Sequence, residues 1–158
     1  MSSPEHKQKI WNIIKDIKVG MLVTLDGDDL RGRPMYLVQD EYDGTIWFYT
    51  HKSAEKISEI QNKHKVCLTF YSDKKQVSLS GHAHLTTDAA QIDKYWNPFA
   101  AAWFAHGRED PDVAMLEVKI YQGEHWETDN KVKQLYEVGK ANMVDGETPE
   151  MGQNQKFG

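Results

Sequence analysis

The chain has 158 residues, the size of one domain, and its 39% hydrophobic and 11% aromatic content excludes a disordered chain. The net charge of −5, without a long basic run, argues against a nucleic-acid partner, because phosphate contacts need a positive face. The single cysteine, Cys67, excludes an internal disulfide. The N-terminus has no apolar signal region and no segment approaches the length of a membrane span, so we expect a cytoplasmic protein without a membrane partner.

The first seventy residues predict two helices and four strands. A helix opens at Pro4, carries isoleucines at helical spacing, and ends at Gly20. Short β-forming segments separated by turns rich in Asp and Gly predict strands over 21–25, 31–39 and 45–50. A short helix over 53–62 and a fourth strand over 66–71 follow.

The second half of the chain predicts further strands and a polar tail. A fifth strand is predicted over 76–86, a helix after Asp88, a second helical piece after Asn97-Pro98, a sixth strand over 115–121 and a seventh candidate over 123–128. We assign residues 1–138 to the domain and 139–158 to a C-terminal tail that is mobile or lies on a neighbour. Short strands joined by turns predict a mainly β (α+β) fold, a small antiparallel barrel with helices packed outside.

The segment 47–57, WFYTHKSAEKI, begins like a buried strand and ends like the first turn of a helix. Ser53 is placed as the N-cap of that helix, and Lys52 and Lys56 lie near the positive end of its dipole. An anion would make this arrangement favourable, so the junction predicts a phosphate site formed by backbone N–H groups, the Thr50 and Ser53 hydroxyls and one or both lysines. The alternative is a solvated helix start whose lysines are neutralised by glutamates of the same helix.

Two polar residues on other predicted strands strengthen the prediction of a ligand site. Arg33 lies beside Pro34, which belongs at a sheet edge, and its guanidinium can form two hydrogen bonds to a phosphate. Gln76 begins a strand and offers a donor and an acceptor, which suits the edge of a heterocycle.

These segments, in this order, resemble the pyridoxamine 5′-phosphate oxidase-like superfamily, the FMN-binding split barrels. The matching elements are Gly32-Arg33-Pro34-Met35, then Trp47-Phe48-Tyr49-Thr50 with Ser53 and Lys56, then Gln76-Val77-Ser78-Leu79-Ser80-Gly81-His82-Ala83. A later run resembles the general stress protein 26 branch: Trp96-Asn97-Pro98, Trp103-Phe104, Gly107, Asp110-Pro111, Leu116-Glu117-Val118 and Trp126. The resemblance covers residues 10–131 and rests on the order and spacing of the motifs.

The resemblance implies a six-stranded antiparallel split β-barrel, a homodimer and two FMN sites at the dimer interface, with FAD as the alternative cofactor. It implies that the phosphate is held by Arg33, Thr50, Ser53 and Lys56, with Lys52 as a helper. It places the isoalloxazine along the backbone of Pro34, Met35, Phe48 and Tyr49, with Gln76 at its edge. It also implies that Trp126, and with less support Trp103, approach the flavin from the partner subunit.

The chain departs from the true oxidases near its C-terminus. Those enzymes have a Trp and an Arg there, and the Arg helps to hold the pyridoxal substrate, whereas no arginine follows Arg108 here. This departure argues against the pyridoxamine phosphate oxidase reaction. Two functions stay open: a redox enzyme for a small substrate, with NAD(P)H as a candidate electron donor, and a flavin-binding stress protein that acts as carrier, buffer or sensor. A third is a barrel that binds deazaflavin or pyridoxal phosphate.

The remaining candidate residues carry less chemistry. His82 and His84 alternate on one strand, but a zinc ion would need a third ligand and an outer shell, so we predict no metal site. His51 either contacts the ligand or is an exposed turn residue. We assign no catalytic residue. An open, partly apolar cavity would favour the enzyme, and a cavity plugged by Trp103 or Trp126 would favour the binding protein.

Overall fold

The computed structural model describes residues 4–128 and 152–158, with positions 135, 138, 140–141 and 146 between them. The helices are α1 (Pro4–Ile17), α2 (Glu55–Asn62), α3 (Ala89–Tyr95) and α4 (Pro98–Ala101), with a 3-10 turn at Gly107–Glu109. The strands are β1 (Val19–Asp26), β2 (Asp29–Tyr36), β3 (Thr45–His51), β4 (Lys65–Tyr71), β5 (Lys75–Thr86), β6 (Val113–Thr128) and β7 (Gly152–Phe157). None of the described helices is long and apolar enough to cross a membrane.

The strands form one antiparallel sheet in the order β2-β1-β4-β5-β6-β3, and β7 pairs with β6. In the described part of the chain β2 and β3, at the two ends of this order, share no ladder, so the sheet is not closed. The predicted mainly β, split-barrel fold with peripheral helices is confirmed, and the described residues form seven strands where six were expected. The segments predicted as two strands over 115–121 and 123–128 are one continuous strand, β6.

The main core lies between α1 and one face of the sheet. The strands alternate buried and exposed side chains, as in β4, and α1 contributes an isoleucine stripe at helical spacing. The fully or nearly fully buried members include Ile14, Leu22, Phe48, Leu68 and Leu116. A smaller cluster of Trp47, Ile92, Phe104, Val113 and Met115 attaches the α3–α4 region beside β3. This second cluster determines where the candidate site forms.

The sequence predicted that Gly20 ends the first helix, and this prediction is wrong because Gly20 lies inside β1. The helix ends at Ile17, and Lys18 makes the turn with a left-handed φ of 68°. A Cβ on Gly20 would lie 2.7 Å from the ring of Phe70, so the glycine allows that ring to pack against the strand. The glycine therefore reflects a tertiary contact and not a helix stop.

The strand β7 lies within the segment predicted to be a polar tail. Its four central residues are exposed, Gly152 is half-buried, and Phe157 is buried with its ring packed directly against Gly123 of β6. A strand that buries one side chain at the sheet edge has no alternating apolar pattern, so the sequence did not reveal it. The assignment of residues 1–138 as the whole domain stays a prediction, because most of 129–151 lies outside the described residues.

Candidate functional site

A cavity of about 340 Å³ lies between β2, β3, α2 and the α4 region. This volume is in the range of small-molecule and cofactor sites. Its lining consists of Pro34, Met35, Tyr36, Val38, Tyr49, Thr50, His51, Lys56, Phe99, Ala100, Trp103 and Phe104. The cavity therefore includes the strand-to-helix junction that the sequence predicted as a ligand site.

Thr50 lines this cavity and carries a buried hydroxyl. The residue is only 3% exposed, and its Oγ1 atom has no hydrogen-bond partner among the described residues. A buried polar group without a partner costs free energy, and most such groups in native structures are paired. The hydroxyl is therefore a candidate contact for a ligand.

Lys56 adds a cationic side chain to the lining of the same cavity. In the described part of the chain its ammonium makes no ion pair within 4.0 Å. Burial lowers the pKa of Lys56, and the positive charge of Arg33 lowers it further, while Glu59 acts in the opposite direction. An anion in the cavity would reverse this shift, because a nearby negative charge favours the ammonium form.

Arg33 is held by the buried carboxylate of Glu59 and does not line the cavity. Its guanidinium donates at 3.0 Å from Nη1 to Oε2, and the same carboxylate oxygen accepts from the Thr24 hydroxyl at 2.6 Å. Arg31 lies 3.6 Å from the other carboxylate oxygen. The predicted phosphate contact of Arg33 stays a prediction, and the contact observed within the chain is this ion pair.

Ser53 does not cap α2. The helix begins at Glu55, and Ala54 is the N-cap residue without a side-chain capping bond. Ser53 instead donates to Asp112 twice, from its N–H to Oδ1 at 3.0 Å and from its hydroxyl to Oδ2 at 2.8 Å. A carboxylate is a strong acceptor for both donors, so Asp112 holds Ser53 one residue before the N-cap position.

Exposed aromatic side chains form part of the cavity wall. Tyr36, Phe99 and Trp103 are 44%, 50% and 58% exposed, and their rings contact one another with centroids 5.1–6.3 Å apart. Tyr49 donates its hydroxyl to the carbonyl of Ile92 at 2.6 Å, and burial raises its pKa. The wall therefore offers aromatic surface to a planar ligand, and Trp103 stands at the rim with most of its side chain in solvent.

The remaining predicted site residues lie outside the cavity of this chain. Phe48 is fully buried in the main core, and Lys52 is exposed, with its backbone N–H donating to the Asp112 carbonyl at 2.9 Å. Gln76 and Trp126 face each other across β5 and β6, and Gln76 donates to the Ser72 carbonyl at 3.0 Å. One chain thus brings together Pro34, Met35, Tyr49, Thr50 and Lys56.

Asp112 had no local signal in the sequence as a partner of this junction. It reaches Ser53 and His51 from the turn before β6. Only the sheet topology places the residues just before β6 next to the end of β3. Among the described residues no group of three or more His, Cys, Asp or Glu side chains is arranged to bind a metal ion.

The curled antiparallel sheet and the cavity at its β3–α2 junction define a split-barrel protein. The family model described as "Pyridoxamine 5'-phosphate oxidase like" matches residues 5–150, so the chain belongs to this family. General stress protein 26 of Bacillus subtilis is 29% identical over 124 residues, which are 75% of this chain and 86% of that protein. The predicted resemblance to the family and to its general stress protein 26 branch is confirmed.

Two solved structures support the same relationship. A Jannaschia sp. CCS1 protein assigned as a general stress protein 26 superposes with a TM-score of 0.74 and 30% identity, over 98% of this chain and 99% of that one. The general stress FMN/FAD binding protein of Xanthomonas citri superposes with a TM-score of 0.72 and 28% identity, over 95% of this chain and all of that one.

Proposed function

We propose that this protein binds FMN non-covalently in the cavity and uses it in a redox reaction with a small molecule. Two groups in the cavity lining carry the proposal. One is the buried Thr50 hydroxyl, which has no hydrogen-bond partner among the described residues, and the other is the partly buried Lys56 ammonium; both residues line the cavity together with an aromatic wall. These groups fit a phosphate joined to a planar ring. The Xanthomonas citri relative, described as an FMN/FAD binding protein, supports the flavin assignment.

FMN is favoured over FAD because of its terminal phosphate. The phosphate monoester of FMN carries roughly 1.5 to 2 negative charges at neutral pH, whereas each of the two linked phosphates of FAD carries one. The monoester therefore attracts the Lys56 ammonium more strongly. Lys56 and Thr50 would hold this phosphate, and Tyr49, Met35 and Pro34 would lie along the ring. The bound flavin supplies the redox chemistry, and the protein supplies binding, orientation and electrostatics.

A homodimer is part of this proposal. Gln76 and Trp126 lie on neighbouring strands outside the cavity of their own chain, and Trp126 is 38% exposed. A second copy would supply these side chains to the flavin if the two cavities lie at the subunit interface. We expect light scattering to give the mass of two chains, and Trp126→Ala to lower FMN affinity; a monomer that binds FMN at full affinity would contradict the dimer.

The phosphate assignment is tested by comparing two flavins. FMN and riboflavin share the ring, and only FMN has a phosphate, so fluorescence titration of both separates ring binding from phosphate binding. Lys56→Ala should weaken FMN binding about tenfold or more, because a lost charge-assisted bond is worth roughly 1.5–3 kcal/mol. Riboflavin affinity should not change. Lys65→Ala is the matched control, because it removes the same charge from an exposed strand position.

Equal loss of FMN and riboflavin binding in Lys56→Ala would contradict the phosphate contact, and failure of the wild type to bind either flavin would contradict the proposal as a whole. The open aromatic rim favours turnover over storage, since Trp103 lies mostly in solvent and does not plug the cavity. We therefore expect the FMN-loaded protein to accelerate oxidation of NADH or NADPH. A protein that binds FMN and accelerates neither would belong to the non-catalytic flavin-binding class.

A further inference from the structure

His51 lies between a carboxylate and the cavity. It is the last residue of β3, and its Nδ1 atom is 2.9 Å from Oδ2 of Asp112. Its ring packs against that of Phe104, with centroids 4.4 Å apart, and His51 also lines the cavity. Its Nε2 atom has no hydrogen-bond partner in the described part of the chain.

Asp112 determines which nitrogen of this imidazole carries the proton. The carboxylate accepts from the Ser53 hydroxyl, the Ser53 N–H and His51, and these bonds lower the pKa of Asp112, the Ser53 hydroxyl most strongly. An ionised carboxylate only accepts hydrogen bonds, so Nδ1 of His51 must be the donor. In the neutral ring the lone pair is then on Nε2, which is the arrangement of a base oriented by an acid partner.

Charged groups surround this imidazole on more than one side. Asp112 and, behind it, Asp110 belong to the loop before β6, and the Asp112 N–H donates to Asp110 at 2.9 Å. The backbone N–H of His106 also donates to Asp110. Lys56 reaches the cavity from α2, and Lys52 follows His51 in the chain.

We propose that His51 is the proton-exchanging residue of this site and that Asp112 is its positioning residue. The inference rests on the proposed function. If NADH or NADPH reduced a bound flavin, the ring would take a hydride and one negative charge, NAD(P)+ would leave, and Nε2 of His51 would accept one further proton, from solvent hydronium, to form an N–H bond. On reoxidation by an acceptor the ring would lose the two electrons and its proton, and His51 would return its own proton to solvent, so atoms, electrons and charge balance.

Potentiometry tests this proposal without an activity assay. The midpoint potential of the FMN-loaded protein is measured with dithionite as reductant across about pH 5 to 8, the range in which histidine changes charge. One extra proton for two electrons makes the potential steeper by about 30 mV per pH unit. We expect this steeper region in the wild type and in His84→Gln, an exposed histidine outside the cavity. At equal FMN saturation, His51→Gln should lose this additional dependence and keep only the pH dependence that the ring's own protons give to every variant.

An unchanged profile in His51→Gln would overturn the proton role while leaving the proposed FMN binding intact. Absence of FMN binding in the wild type would overturn both, so the two failures are distinguishable. The role of Asp112 is tested by nitrogen NMR of labelled histidine in the protein without flavin. We expect the Nδ1–H tautomer of His51 in the wild type and a mixture of tautomers in Asp112→Asn; an Nε2–H tautomer in the wild type would overturn the positioning role.

Discussion

The buried carboxylate of Glu59 makes the sharpest prediction about stability. Its side chain is 5% exposed and accepts from Arg33, whose own side chain is 19% exposed, and from the Thr24 hydroxyl. Glu59→Ala leaves the Arg33 guanidinium partly buried without its partner. Removing one member of a buried pair costs about 3–5 kcal/mol, and the residual exposure of Arg33 places this pair near the low end, at about 3 kcal/mol.

Glu55→Ala provides the matched control for this prediction. Glu55 lies one turn earlier on the same helix, its side chain is 80% exposed, and its partner is Arg31. An exposed ion pair is screened by water and contributes little, so this variant should lose only a small fraction of the stability lost in Glu59→Ala. Urea unfolding followed by circular dichroism measures both losses as changes in the midpoint at constant slope.

The same carboxylate predicts a pH dependence. The hydrogen bond from Arg33 is the main cause that lowers the pKa of Glu59 in the folded protein. Its contribution to stability is therefore complete above the unfolded pKa of about 4.3 and is lost as the pH falls through the lower folded value. Glu59→Ala should remove this part of the acid destabilisation. In the urea experiment at pH 7, an equal loss of stability in Glu59→Ala and Glu55→Ala would refute the reasoning.

Three further predictions concern packing and protonation. Phe157→Ala should destabilise the protein by about 3–5 kcal/mol in urea unfolding, because a buried ring is removed from the core, whereas Gln155→Ala in the same strand should have little effect. Gly20→Ala should cost about 1–3 kcal/mol by the same measurement, because its Cβ would overlap a ring. Burial lowers the pKa of His125, so folding disfavours the protonated ring and stability should fall below about pH 6.5; His125→Gln should reduce this loss, and His84→Gln should not.

The succession of helices and strands along the chain and the candidate junction were largely readable from the sequence because their signals are local. β3 and α2 follow one another within the segment WFYTHKSAEKI, so the change from strand to helix and the cluster of polar side chains appear in eleven consecutive letters. Thr50 and Lys56 belong to that segment, and both line the cavity. Pro34 and Met35 were connected to it by the resemblance of their motif and order to a known family.

The partners of the polar side chains were not readable in the same way. Arg33 was predicted to hold a phosphate, and in the fold it binds Glu59, because β2 and α2 approach each other and a buried guanidinium needs an anion close by. Ser53 was predicted as a helix cap, and it binds Asp112, which lies 59 residues further along the chain. Short-range rules for capping cannot include a carboxylate that arrives from a distant turn.

The sequence by itself determined the class of fold, the family and the junction at which a phosphorylated ligand would bind, since periodicity, turn residues and motif order are properties of neighbouring residues. Only the tertiary structure decided which donors are free. It used the hydroxyl of Ser53 and the guanidinium of Arg33 to satisfy carboxylates. Thr50, Lys56 and His51 line the cavity, and among the described residues the Thr50 hydroxyl and Nε2 of His51 have no hydrogen-bond partner. The reason is that hydrogen-bond satisfaction is settled by whatever group the folded chain brings within about 3 Å, at any separation in sequence.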